Sequence, residues 1–358
     1  MPLVAGAMFV IALSAISCAS TPKTRTPASE TALSVAASLE QVRLCSARIW
    51  PGFQMDSYRI LLMQPSRQRG QFWEPGQALR DLSSEEAKSV QPDGSYNFIT
   101  NFRGDRAVSV NMERPNAGAS AAMSAFKTAF HEGFHFLYQM KAPWAAYFVS
   151  ADRKPNVDRV EALYSRQMLI HAMKKALLGQ QGWGEAVSWW QRWEKTGEAP
   201  ETRWSDITEG TAYYAELVGS LLAEAGCEIS ESDLMKRALE QVPSLVDQPQ
   251  PPEVRRAFVQ QYVQTGYQKE GYEIGLLALL ALRARGQLVG EAEYKSGRHY
   301  VDEMSAASQN ADKMRIYAEM RAALLEVRTP VELLLTGVAP APVVEDQRLR
   351  SEIETAFR

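Results

Sequence analysis

Residues 131 to 135 read His-Glu-Gly-Phe-His, inside a segment with helical periodicity. Side chains four apart on a helix lie on neighbouring turns, about 6 Å apart along the axis and some 40° apart around it, so two imidazoles can converge on one metal ion. Glu132 falls on the adjoining edge of that face, poorly placed to ligate the same ion but able to reach a water that does. The chain has four histidines in 358 residues, so two of them meeting this pattern by accident is expected on the order of once in a few hundred cases. A merely polar helix face is the competing reading. Phe126, Phe130, Phe134 and Leu137 form an apolar stripe beside the histidines, which predicts one buried side and one side facing a cleft. Gly133 costs a helix interior about 1 kcal/mol against alanine, so something is expected to approach the backbone there.

A catalytic zinc ion needs a third protein ligand and one open position. The remaining histidines, His171 and His299, do not occupy the third-ligand position of the longer metzincin motif. That leaves a carboxylate. Glu209 is the candidate, in the first turn of a helix expected over Asp206 to Ala225. Tyr213 and Glu216 are its polar neighbours there, while Ile207, Tyr214, Leu217, Val218, Leu221 and Leu222 make the core stripe. A first-turn acid favoured only by the helix dipole is the competing reading of Glu209. An oxyanion formed in such a site would need a further donor. Tyr272, opening an apolar helix between Gly271 and Gly275, ranks above Tyr213 and His299 for that role.

His131-Glu132-x-x-His135 followed by Glu209-Gly210-x-Ala212 resembles the gluzincin metallopeptidases, the group of thermolysin and the aminopeptidase N family. The resemblance covers two short segments. It implies one Zn2+ held by His131, His135 and Glu209, with Glu132 activating the zinc-bound water that attacks a peptide or amide bond. It also implies a substrate held as an added strand on a sheet edge, with Ser95 to Thr100 or Arg106 to Met112 as the candidates; ordinary pairing within the sheet is the favoured reading of either segment. Two departures stand out. Between His135 and Glu209 lie 73 residues, where a much shorter insert is usual, and Tyr213 occupies the position where thermolysin-like enzymes carry an aspartate that orients a histidine.

These residues need elements to position them. Tyr58 to Met63, Ser95 to Thr100 and Arg106 to Met112 read as strands of a small antiparallel sheet. From Ala117 to Met140 onwards the pattern is helical, with further helices expected over Asn156 to Leu178, Gly184 to Thr196, Ser232 to Gln241, Pro252 to Gly266, Tyr272 to Arg285, Gly290 to Ser305 and Asn310 to Val327. The expected fold class is α+β, predominantly α-helical, a zincin-like small antiparallel sheet leading into a helical body. The expected division is a signal segment at 1–18, a flexible tether at 19–38, a β-containing layer at 39–115 and a helical metallopeptidase body at 116–358.

The apolar run Val4 to Ile16, followed by Ser17, Cys18 and Ala19, has signal-peptide length. Ala15-Ile16-Ser17-Cys18 resembles a bacterial lipobox; a plain secretory signal cleaved near Ser17 is the other reading. Either one exports the protein to the cell envelope, with any membrane attachment limited to an N-terminal lipid anchor. Cys45 and Cys227 are the cysteines left, and in an oxidising compartment they are expected to pair, two free thiols being the alternative. A net charge of -3 makes nucleic acid an unexpected partner. Trp183, Trp189, Trp190 and Trp193 fit a packed helix face better than a sugar site. Among function classes, a hydrolase acting on peptide or protein is the principal expectation. A catalytically silent zincin-scaffold lipoprotein in binding or envelope assembly is the alternative, against which Glu132 argues.

Overall fold

The computed structural model describes residues 27–90, 99–113, 120–139, 158–197, 199–242, 270–288 and 329–357, together with 253, 256, 257, 259, 260 and 315. The expected signal segment and lipobox, and the helices expected over Pro252 to Gly266, Gly290 to Ser305 and Asn310 to Val327, lie wholly or mostly outside these residues.

The described chain is α+β and mostly helical. Its five strands are β1 (Ile60–Gln64), β2 (Arg69–Trp73), β3 (Arg80–Asp81), β4 (Ile99–Phe102) and β5 (Asp105–Asn111), in the order β3-β2-β1-β5-β4. The sheet is mixed rather than wholly antiparallel, because β1 and β5 pair in parallel while the other neighbours are antiparallel. A parallel pair needs a crossover, and β2, β3, helix α2 (Ser84–Val90) and β4 occupy the sequence between its strands. The β4–β5 hairpin turns through Arg103 and Gly104, both at positive φ, as a two-residue connection of twisted strands requires.

Alternation along β1 sorts its side chains. Ile60 and Leu62 join the main core with Val108 and Val110, whereas Leu61 and Met63 face Ala87 and Val90 of α2, with Phe72, Phe102 and Ala107, in a smaller second core. Helix α3 (Ala121–Gly133) lies against β1 and β5. It starts at the Ser120 cap, whose hydroxyl accepts from the Met123 N–H at 3.2 Å. Its stripe is buried as expected: Phe126, Phe130 and Phe134 are at most 1% exposed, each worth about 1.5–3 kcal/mol relative to exposure.

Behind α3 lie α4 (Arg159–Leu177), α5 (Gly184–Glu194), α6 (Ala199–Ala225), α7 (Glu231–Gln241) and α8 (Glu270–Ala284). The chain ends in α9 (Pro330–Leu335) and α10 (Gln347–Phe357). Helix α8 packs on α6, α4 and α9, and Leu276 through Leu280 are fully buried, the signature of an interior helix. Trp189, Trp190 and Trp193 of α5 are buried, which makes them a packed face.

Two boundaries differ from expectation. The tether expected over 19–38 is helical from Pro27, where α1 (Pro27–Leu44) begins. Ala32, Val35, Leu39 and Val42 are fully buried against α3 and α6; their three-four-three spacing is an amphipathic period inside a composition that otherwise reads as linker. Helix α6 starts at Ala199 rather than Asp206. Pro200 belongs to its first turn, where proline's missing N–H costs nothing. Cys45, just past α1, is bonded to Cys227, just past α6, with 5.8 Å between Cα atoms. Such a bridge typically adds about 2–4 kcal/mol. No helix among the described residues is long and apolar enough to cross a membrane.

Candidate metal centre

The helix that carries His131 and His135 changes its winding at the centre of the motif. Ala121–Gly133 is α-helical, and Phe134–Tyr138 continues as a wider π turn, a local form that recurs at functional sites. Gly133 lies at the junction. A Cβ there would stand 2.5 Å from the Tyr58 ring, so the expected close approach is made by a core aromatic that pins the helix to the start of the sheet. Tyr58 and Phe130 lie 5.9 Å apart, and Phe53 meets Tyr58, Phe130 and Phe134 at 5.5–6.2 Å.

On the other face, His131 and His135 bring their Nε2 atoms within 3.0 Å of each other. The Glu209 carboxylate on α6 completes the group, with Oε2 at 3.3 Å from Nε2 of His135 and 3.5 Å from Nε2 of His131. Glu209 therefore sits ten residues inside α6, not in its first turn, and the helix-dipole reading of it falls. These three are the one group of His, Cys, Asp and Glu ligand atoms gathered closely enough to hold a metal ion among the described residues. His171 is buried on α4, outside that group, and His299 lies outside the described residues.

The triangle can be tested against an ion. Tetrahedral zinc with bonds of about 2.0–2.1 Å spans ligand-to-ligand edges of about 3.3 Å. The observed sides of 3.0, 3.3 and 3.5 Å match that edge to a few tenths of an ångström. Two imidazole nitrogens and one carboxylate oxygen are the borderline donor set that zinc takes in catalytic sites, leaving a fourth position for water or substrate.

Electrostatics follow from the crowding. Burial opposes charging His131, but the Glu209 and Glu216 carboxylates outweigh it and push its pKa up to about 10. Burial would raise the Glu209 carboxyl; the two imidazoles reverse that and hold it well below the usual carboxylate range. Glu132 moves the other way, because its burial raises the pKa more than His135 and His131 lower it. Tyr272 is raised far above an ordinary phenol, first by burial and then by the negative charge of Glu209. Its hydroxyl therefore stays protonated beside the Glu209 carboxylate.

Tyr272 reaches the site because α6 and α8 almost touch. A Cβ on Gly210 would meet Gly275 Cα at 2.5 Å, and one on Gly275 would meet the Asp206 carbonyl oxygen at 2.1 Å. One on Gly271 would meet Ser205 Oγ at 2.2 Å. Only glycine allows such an approach, and it lays the Tyr272 ring on His131, 5.8 Å between centroids and 8° from parallel. Tyr213 stands edge-on to Tyr272 at 5.9 Å.

Two outer residues were not assigned from sequence. Glu216 Oε2 lies 3.0 Å from Nδ1 of His131, off the line of a hydrogen bond. Gln139 Oε1 lies 2.7 Å from Nδ1 of His135. The signal for Gln139 was its position four beyond His135, and for Glu216 its place seven beyond Glu209 on one helix face. Of the two strands expected to receive substrate, β5 is paired on both sides, with β1 and β4. The segment 106–112 is thereby excluded; of 95–100 only residues 99 and 100 are described, in β4, which with β3 is an outer strand of the sheet among the described residues. No family model, curated protein or solved structure matches the chain.

Proposed function

We propose that the chain is an exported zinc-dependent metallopeptidase of the gluzincin kind, cleaving peptide or amide bonds at the His131, His135 and Glu209 centre. The observation that carries this reading is the triangle of two Nε2 atoms and one carboxylate oxygen, with sides that match the edges of a tetrahedral zinc site, beside a carboxylate of raised pKa. Zinc held there would supply Lewis acidity, lowering the pKa of a water and polarising a carbonyl. Glu132, with its proton affinity raised by burial, takes the proton of the attacking water and passes it to the leaving amine. Tyr272 directs a hydroxyl held protonated to the oxygen on which negative charge develops. The β4 edge offers backbone groups for an extended peptide.

The test is zinc quantification on the purified mature protein together with digestion of a peptide library, for the wild type and Glu132→Gln. One zinc per chain in both proteins is expected, with hydrolysis in the wild type and a loss of about 10²–10⁴-fold in the variant. A chain that takes up no stoichiometric zinc, or a Glu132→Gln enzyme of full activity, overturns the proposal. Zinc binding without hydrolysis by the wild type would favour a silent scaffold.

A further inference from the structure

Gln139 is 1% exposed and has no part in the proposed reaction. Its Nε2 lies 2.9 Å from the carbonyl oxygen of Thr208 and also donates to Thr211 Oγ1. A carbonyl oxygen only accepts, so the NH2 end of this amide faces α6 and Oε1 faces His135. The Thr211 hydroxyl is free to accept because it donates in turn to the Ile207 carbonyl at 2.6 Å. An amide oxygen only accepts as well. The proton of neutral His135 therefore resides on Nδ1, 2.7 Å from Gln139 Oε1, and the Nε2 lone pair points to His131 and Glu209. The tautomer of a candidate ligand is thus decided by a backbone carbonyl of another helix.

We propose that Gln139 is a positioning residue for metal binding, which holds His135 in the Nδ1–H tautomer and fastens it to the turn of α6 that carries Glu209. The proposal rests on the metal-centre reading above. Thr208 is the chain neighbour of Glu209, so one amide ties a ligand on the metal helix to the ligand on α6. The Gln139 backbone N–H separately closes the end of the π turn Phe134–Tyr138 on the carbonyls of Phe134 and His135, a winding that is intrinsically rare. Partners of this kind, behind a ligating histidine, commonly change metal affinity by 10–100-fold when removed.

The experiment uses the mature chain with 15N-labelled histidine, as wild type, Gln139→Leu and Gln139→Glu. Long-range 1H–15N spectra read the His135 tautomer without and with zinc, and chelator competition reads zinc affinity. In the wild type His135 should carry its proton on Nδ1 in both states. Gln139→Leu should lose that preference and bind zinc about 10–100-fold more weakly, while Gln139→Glu, still an acceptor, should keep the tautomer and recover part of the affinity. A wild-type His135 protonated on Nε2 in the zinc-free protein, or a leucine variant binding zinc within about twofold of wild type, overturns the proposal. Should Gln139→Leu fail to fold, the wild-type spectrum and Gln139→Glu decide. Should the wild type take up no zinc, the peptidase reading falls, while the zinc-free spectrum still decides the role of Gln139.

Discussion

Glu216 stands two turns beyond Glu209 on α6, and its Oε2 lies 3.0 Å from Nδ1 of His131. One helix therefore provides both the carboxylate that meets the imidazoles from the front and the carboxylate that backs one of them. The residue four after Glu209 is Tyr213, and the acid three residues later faces His131. Removing the anion should weaken metal binding by about 10–100-fold. Glu216→Leu and Glu216→Gln, which both remove the charge, are expected to do so alike. Chelator competition measures both, and equal affinities for all three proteins would refute the assignment.

Tyr272→Phe isolates the hydroxyl from the stacked ring. The ring lies flat on His131 and should remain there, so zinc content should hold. Hydrolysis should fall by about 10²–10³ in kcat, the usual cost of one oxyanion donor, with KM little changed. Steady-state kinetics distinguish the roles: a rise in KM with kcat preserved would mean that Tyr272 only binds substrate.

The glycine contact between α6 and α8 makes a stability prediction. Gly275→Ala drives a methyl group to 2.1 Å from the Asp206 carbonyl oxygen, and backbone cannot give way as a side-chain tip can. A loss of about 1–3 kcal/mol or more is expected, read as a lowered Tm. Gly182→Ala, where nothing lies within 4 Å, is the matched control and should leave Tm nearly unchanged. If the two variants melt alike, the helices are not in this contact.

Acid stability should depend on Glu231. Arg283 hydrogen-bonds to it, Arg48 adds a second cation, and together they outweigh burial and hold its pKa down to about 2, against an ordinary 4.5. A lowered carboxyl pKa stabilises the folded state above the unfolded value and loses that stabilisation as pH falls towards the folded one. The Tm gap between wild type and Glu231→Gln should therefore be full at neutral pH and close between pH 4.5 and 2. A gap that is constant over that range would show that the pair contributes no charge-dependent stability.

The sequence alone determined what is local to one helix. Four-residue spacing places His131 and His135 on one face whatever surrounds them, and the same periodicity buried Phe126, Phe130 and Phe134. Residue type was enough to single out Glu209 once the other histidines were set aside, although its helix begins at Ala199 rather than at Asp206, with Pro200 in the first turn. α1 was hidden by linker-like composition, since four small or aliphatic positions carry its apolar period. Tertiary structure alone decided that Glu209, 74 residues beyond His135, meets the histidines, that Tyr272 follows through the glycine contact, and that Gln139 and Glu216 stand behind the rings. Those relationships come from how α3, α6 and α8 pack, and packing depends on shape complementarity between distant segments, which periodicity within any one of them does not encode.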